Sequence, residues 1–267
     1  MKKNILLALV ALFGFSNVVL ADCTISSGIT DFPLAPHADS GDNTCYTEPD
    51  FAQYTFYEMG LCTSAAGAPT SSTVLNTANC QTVLSSTSGI AVQVDNGATS
   101  DISGNIIRPA NGTYTHGYVR VGKAITLRDS REYNMSLDSN YDDAVNGEFC
   151  ATTADEDDAD AVTCSTSAVT AVNSLRSFSF GNDFSWPSGT PTAWLVKSDE
   201  NLANDSNDVV YLIGTAEFPT PVVLTDDSTS MNIAIKVSNA LAVDNRDNTG
   251  HRVNLQAGPF NLVMTVK

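Results

Sequence analysis

Positive charge is scarce in this chain. Thirteen lysines and arginines face 30 aspartates and glutamates, for a formal net charge of −17 over 267 residues. A surface of that sign repels phosphate backbones and anionic headgroups, which argues against nucleic-acid binding and against peripheral attachment to acidic membranes. Histidine is rarer still, with only His37, His116 and His251. No HExxH, Cys-x-x-Cys or Gly-x-Ser-x-Gly occurs, so zinc-hydrolase and serine-hydrolase chemistry lack their usual sequence carriers. Asp39-Ser40-Gly41 lies near His37, but its flanking residues Ala38 and Asp42 do not suit a protease serine. His116 follows a strand period and reads as a half-buried ring in a sheet. No internal repeat of useful length is present, which excludes solenoids and propellers.

Long apolar runs are also absent, with one exception. Lys2 and Lys3 lead an apolar stretch from Ile5 to Leu20, which closes Val19-Leu20-Ala21 before Asp22-Cys23. A positive head, a short apolar stretch and small residues before the cut describe a secretory signal peptide over 1–21, cleaved after Ala21. Gly14, Ser16 and Asn17 interrupt the run, so it is too short and too broken for a membrane span. Leu20-Ala21-Asp22-Cys23 resembles a bacterial lipobox. Asp22 departs from that pattern, because a small residue belongs just before the lipidated cysteine, so soluble export is expected ahead of a lipid anchor at Cys23. The localisation expected is therefore secreted, periplasmic or cell-surface, with no integral membrane span after cleavage. Loss of the leader removes Lys2 and Lys3 and takes the net charge from −17 to −19.

All six cysteines, Cys23, Cys45, Cys62, Cys80, Cys150 and Cys164, follow the leader. An even number in an exported chain implies three disulfides. Fifteen pairings are possible; the spacing favours neighbours, Cys23–Cys45, Cys62–Cys80 and Cys150–Cys164. Each would close a short loop, for roughly 3 kcal/mol in the chain-entropy model.

The remainder reads as strands and turns. Phe51–Leu61 is aromatic and alternating, with a phase shift near Phe56 or Tyr57 that marks a bulge. Gln81–Leu84 and Ile90–Val94 are β-branched runs separated by a hairpin-like turn. In Gly112–Arg128, Tyr114, His116 and Tyr118 fall on one face and Val119, Val121 and Ile125 on the other. Arg131–Leu137 continues as a strand. Asp138–Cys164 is rich in Asp, Asn, Ala and Thr and reads as a long surface loop. Val169, Val172 and Leu175 have helical spacing, which allows one short helix over Ser165–Leu175. Strands resume at Ser177–Phe180, Thr192–Lys197 and Val209–Gly214, with Pro187, Pro191, Pro219 and Pro221 between them as breakers. Met231–Val237 and Phe260–Val266 alternate most cleanly, the habit of antiparallel sheets with one packed face.

The fold class expected is all-β: a loop-rich antiparallel β-sandwich, jelly-roll or Ig-like, with at most one short helix. Residues 22–267 are read as a single elaborated sandwich domain, with a split into two sandwiches near 164–176 as the alternative. Among candidate ligands, Asp138, Asn140 and Asp142 have the first, third and fifth spacing of a calcium loop. Asp143 and Phe149 stand where glycine and glutamate belong, so only weak Ca²⁺ binding would follow. Asp155–Asp158 with Asp160, and Asp244–Asn248, are further oxygen-rich stretches. Trp186, Trp194 and Tyr211 could line a sugar-binding face, although Trp194 and Tyr211 lie inside strand runs and suit a core equally. No catalytic or cofactor-binding residue is assigned. The expected function is non-enzymatic: a cell-surface, extracellular-matrix or appendage component whose partners are other copies of itself or surface proteins. The alternative is a secreted glycan- or calcium-binding module.

Overall fold

In the computed structural model, residues 9–13, 21–34, 43–139, 146–153, 162–177, 192–245, 251–258 and 260–267 are described. Nineteen strands lie among them. Leu9–Phe13 is β1, Ile25–Ser26 β2, Ile29–Thr30 β3, Asn43–Thr47 β4, Phe51–Cys62 β5, Cys80–Asp95 β6 and Thr99–Asp101 β7. Gly112–Gly122 is β8, Ala124–Arg128 β9, Ser130–Leu137 β10, Gly147–Thr152 β11, Val162–Ser165 β12 and Ser174–Ser177 β13. Thr192–Val196 is β14, Tyr211–Leu224 β15, Met231–Lys236 β16, Leu241–Asn245 β17, Val253–Ala257 β18 and Asn261–Val266 β19. One 3-10 turn, Ser206–Asp208, is the only helical segment among the described residues.

These strands form an all-β sandwich of several packed sheets. The largest has seven strands in the order β13-β9-β5-β8-β15-β14, with β6 also paired to β5. A four-stranded sheet runs β1-β19-β16-β7, a five-stranded one β12-β11-β10-β3-β2 and a three-stranded one β18-β17-β4. All strand pairs are antiparallel except β3 with β10. The core is built by period-two alternation. Ala52, Tyr54 and Phe56 of β5, then Met59 and Leu61 after the bulge, meet Val119 and Val121 of β8 and Ile125 and Leu127 of β9. Opposite them stand Ile233 and Ile235 of β16 and Leu262 and Met264 of β19. Phe260 joins the two layers, its ring 4.7 Å from Tyr54 and 6.0 Å from Phe56 in an edge-on contact.

The three disulfides are those that spacing favoured: Cys23–Cys45, Cys62–Cys80 and Cys150–Cys164, with no free cysteine. Cys62 faces Cys80 across β5 and β6, and Cys150 faces Cys164 across β11 and β12. Three such bonds suggest an oxidising compartment, extracellular or periplasmic. No helix among the described residues is long and apolar enough to cross a membrane.

Several local expectations are corrected. The bulge in β5 is where the phase shift put it, between Phe56 and Glu58. The residues between Leu84 and Ile90, however, do not reverse the chain. Leu84 and Ile90 both pair with β5, so residues 86–89 bulge out of one continuous strand, β6, with Gly89 at φ 77°. Asp138–Cys164 is not all loop: β11 and β12 form a ribbon there. The helix over Ser165–Leu175 is absent; the chain bends at Thr166 and Ser167, and β13 begins at Ser174. Its Ser, Thr and Val residues lose more than they gain in a helix, and β9 offers them an edge. Pro219 and Pro221 do not end a strand either. They sit inside β15, where the register with β8 jumps between Glu217 and Val222, so no ladder donor is missed. Tyr114 belongs to the main core while Tyr118 belongs to the small cluster on the other side of the sheet, so the two do not share a face.

Candidate functional site

Seen from the outer face of the seven-stranded sheet, β5, β8 and β15 present Tyr57, Glu58, Tyr118, Arg120 and Tyr211. Arg120 is the hub. Its Nη2 donates to Glu58 Oε2 at 3.3 Å, its Nη1 pairs with Glu200, and its guanidinium lies 5.2 Å from the Tyr211 ring centroid. Tyr57 meets Tyr211 edge-on at 4.9 Å. Tyr118 Oη donates to Glu58 Oε1 at 2.6 Å and lies 3.2 Å from Thr82 Oγ1. Burial, reinforced by the adjacent Glu58, drives the Tyr118 phenol well above its ordinary value, so it stays neutral and donating. Gly60 makes the arrangement possible. A Cβ there would fall inside the Tyr118 ring, which lies across β5.

A loop over residues 63–79 roofs one side of this face. It is closed by Cys62–Cys80 and by Gly67 pairing with Asn76. Leu75 and Ala66 of the loop pack with Cys62, Tyr118, Val196 and Ile213, and Trp194 and Tyr211 lean on that small cluster half-buried. Leu202 N donates to Thr70 O at 2.9 Å, which ties this loop to the turn carrying Glu200. Glu200, which pairs with Arg120, has φ 65°. The arrangement pairs two carboxylates with one guanidinium. It binds strand, loop and turn together, and it offers both hydrogen-bonding groups and ring faces at a partly open surface.

A second charged pair lies deeper. Asp129, fully buried at the β9–β10 junction, receives Arg131 Nε at 2.5 Å and Nη2 at 2.7 Å. Arg131 also donates to Glu48 O at 3.2 Å and Thr30 Oγ1 at 3.4 Å, and Asp50 Oδ2 accepts from Ser130 N at 3.0 Å. Burial pushes the Asp129 carboxyl up, while Arg131 opposes that shift. The pair stitches β10 to β3 and to the start of β5.

Only some of the expected site residues are among those described. Asp138 follows β10 and bridges to Arg252; its carbonyl accepts from Val253 N at 3.0 Å, and its Oδ1 is buried without a hydrogen bond. Asn140 and Asp142, Asp155–Asp158 with Asp160, Trp186, and Asp39-Ser40-Gly41 with His37 lie outside the described residues. No group of three or more His, Cys, Asp or Glu able to hold a metal occurs among the described residues. Asp244 and Asn245 end β17, and Arg246, Asp247 and Asn248 lie outside the described residues: Asp244 Oδ1 accepts from Thr44 Oγ1 at 3.1 Å, and Asn245 Nδ2 donates to Pro33 O at 3.2 Å. His116 is half-buried, with Nδ1 2.8 Å from Thr115 Oγ1. Trp194 and Tyr211 both pack, half-buried, against the cluster of Cys62, Leu75, Tyr118, Val196 and Ile213.

Sequence reasoning missed Glu58, Tyr118, Arg120 and Glu200. The available signal was Arg120 itself, a rare cation between Val119 and Val121 in a strand-period run, which marks a half-buried charge needing partners. Comparison with known proteins adds no assignment: no family model, no curated protein and no solved structure matches the chain.

Proposed function

We propose that this is an exported, non-enzymatic β-sandwich that serves as a structural component of a cell surface, an extracellular matrix or an appendage. The observation that carries the reading is the disulfide-clipped, all-β build beneath a strongly acidic surface. The sheets are cross-linked at the chain entry, under the outer loop and across the β11–β12 ribbon, which suits a protein that must persist outside the cell. Charged groups fasten the elements to one another: Asp129 with Arg131 in the interior, and Glu58 and Glu200 with Arg120 on the outer face. That is how charge is used to fasten a scaffold.

Protein purified from the export compartment, followed by size-exclusion chromatography and electron microscopy over a range of concentrations, tests this. Ordered assemblies or concentration-dependent association are expected. A strict monomer at high concentration removes the structural role.

A second reading, a secreted glycan-binding module, is favoured by one observation: Tyr211 lies beside the Arg120 guanidinium with Tyr57 edge-on to it, and Trp194 packs on the same apolar cluster as Tyr211. Rings beside fixed hydrogen-bonding groups suit sugars. Melting curves with and without oligosaccharides, and with calcium or chelator for the cation version, separate these from a ligand-free scaffold.

A further inference from the structure

Charged residues make up 16% of the chain, yet residues 59–94 include none. That stretch supplies the end of β5, the roofing loop and all of β6 but its last residue. Neighbouring strands extend the uncharged surface across the outer face of the seven-stranded sheet. Ala52, Tyr54 and Phe56 belong to the core, so alternation turns Gln53, Thr55 and Tyr57 outward. Gln53 lies between Thr126 of β9 and Gln93 of β6, and Thr55 is opposite Ala91 of β6. Ala91 and Gln93 are exposed; Gln53, Thr55, Tyr57 and Thr126 are half-exposed. The Tyr57 ring lies beside Gly89 and Gly122, where a Cβ would come within 3.0 and 3.3 Å of it. The panel is therefore low and even, built of short or flat groups without charge.

Charge returns at the end nearest Phe51. Arg128 of β9 and Asp95 of β6 stand on opposite sides of Phe51, each in register with it. Their side chains are partly exposed and meet loosely, at 3.9 Å, while the Arg128 guanidinium lies 5.1 Å from the Phe51 ring centroid. Gln93 Nε2 donates to Asp95 Oδ2 at 3.1 Å and steadies the carboxylate. Each copy of the chain carries a net charge of −17, so contact between two copies is opposed wherever like charges meet. The panel avoids that penalty, and it is complementary to itself. A two-fold axis parallel to β5, lying between two facing panels, sets Arg128 of each copy over Asp95 of the other and sets Gln53 against Gln53. Two ion pairs then close one end of the contact.

We propose that the outer panel of β9, β5 and β6, centred on Gln53, is the docking surface for a second copy of this chain, joined about a two-fold axis along β5. The inference rests on the structural reading and names the surface through which copies meet. Three strands at about 4.8 Å spacing and seven residues at about 3.4 Å make a panel of ~340 Å², below the ~800 Å² per partner of a standard interface. The contact is accordingly weak and fills at high concentration.

Sedimentation velocity of the exported protein over a concentration series tests this, with near-UV circular dichroism and Tm as controls for folding. Because Gln53 meets its own counterpart, Gln53→Glu and Gln53→Lys should each weaken the dimer at least about tenfold, and an equimolar mixture of the two should restore it. Asp95→Arg and Arg128→Asp should each weaken it as well, and the double variant should recover. Where a Gln53 variant fails to fold, the Asp95 and Arg128 series carries the test. Assemblies that form equally well in every variant overturn the panel as the docking surface and leave the structural reading standing. Weakened single variants that recover neither in the mixture nor in the double variant overturn the two-fold arrangement, and with it the proposal. A strict monomer at every concentration overturns both readings; if cellohexaose then perturbs its tyrosine fluorescence, and Gln53→Glu abolishes the response, the panel is a glycan surface instead.

Discussion

The two faces of the seven-stranded sheet are held by different physics. On the inner face Tyr54, Phe56, Met59, Leu61, Val121 and Leu127 are almost fully buried against the β16–β19 layer. Cohesion there comes from apolar area and close packing, which ionic screening does not weaken. On the outer face Glu58, Arg120 and Glu200 keep part of their side chains in solvent, and order comes from ion pairs, one phenolic hydrogen bond and a loop held by Cys62–Cys80. Exposed pairs of this kind each contribute ~0–1 kcal/mol. One sheet thus has a face that makes the fold and a face that is shaped by it. The second kind of face can change composition at little cost, which is where a binding or assembly surface is most easily accommodated.

The contrast can be broken most forcefully from inside. Phe56→Ala removes a ring that touches Phe260 across the layers. A loss of about 3–5 kcal/mol is expected from lost transfer energy plus the cavity, measured by chemical denaturation at unchanged m-value. A loss below about 1 kcal/mol would mean that the layers are not packed as described. The next largest effect belongs to the outer loop. Cys62→Ala with Cys80→Ala opens an 18-residue separation and should lower stability by roughly 3 kcal/mol in the chain-entropy model. Cleavage within residues 63–79 under limited proteolysis should accelerate at the same time. Unchanged proteolysis would show that Leu75 and the Gly67–Asn76 pairing hold the loop without the bond.

Strand content was readable wherever one face packs and the other meets water. Met231–Lys236, Asn261–Val266 and Phe51–Cys62 fall where alternation placed them. Reading failed where the backbone departs from period two. Residues 86–89 carry turn-type amino acids, yet both flanks pair with the same strand; only knowledge of the common partner distinguishes a wide bulge from a hairpin. Pro219 and Pro221 punctuate a sequence but only locally unpair a long strand. The short strands β4, β17 and β18 were hidden because their pattern is mixed and their order comes from one another and from the Cys23–Cys45 bond. The outer cluster was illegible for a related reason. Glu58, Arg120 and Glu200 are 62 and 80 residues apart along the chain, and nothing local records that Gly60 leaves room for the Tyr118 ring.

The smallest effects sharpen the comparison best, because the two faces give opposite signs for one chemical change. Tyr54 and Tyr118 are both buried, and burial raises both phenols above 10.0. Tyr54 Oη, on the inner face, has no hydrogen-bond partner, whereas Tyr118 Oη donates to Glu58. Removing an unpaired buried hydroxyl is neutral or stabilising, whereas removing a paired one costs about 1 kcal/mol. Tyr54→Phe should therefore hold or raise Tm at neutral pH, and Tyr118→Phe should lower it. Alkali adds a second axis. A phenol whose pKa is higher in the folded state stabilises the fold fully below the unfolded value near 10, and that contribution is lost as pH rises through 10 toward the folded value. Wild-type stability should accordingly fall above pH 10, and each Phe variant should fall less steeply. If both variants instead lower Tm equally at neutral pH, the phenols have equivalent surroundings, and the distinction between an apolar inner face and a hydrogen-bonded outer face is lost at the position where it is sharpest.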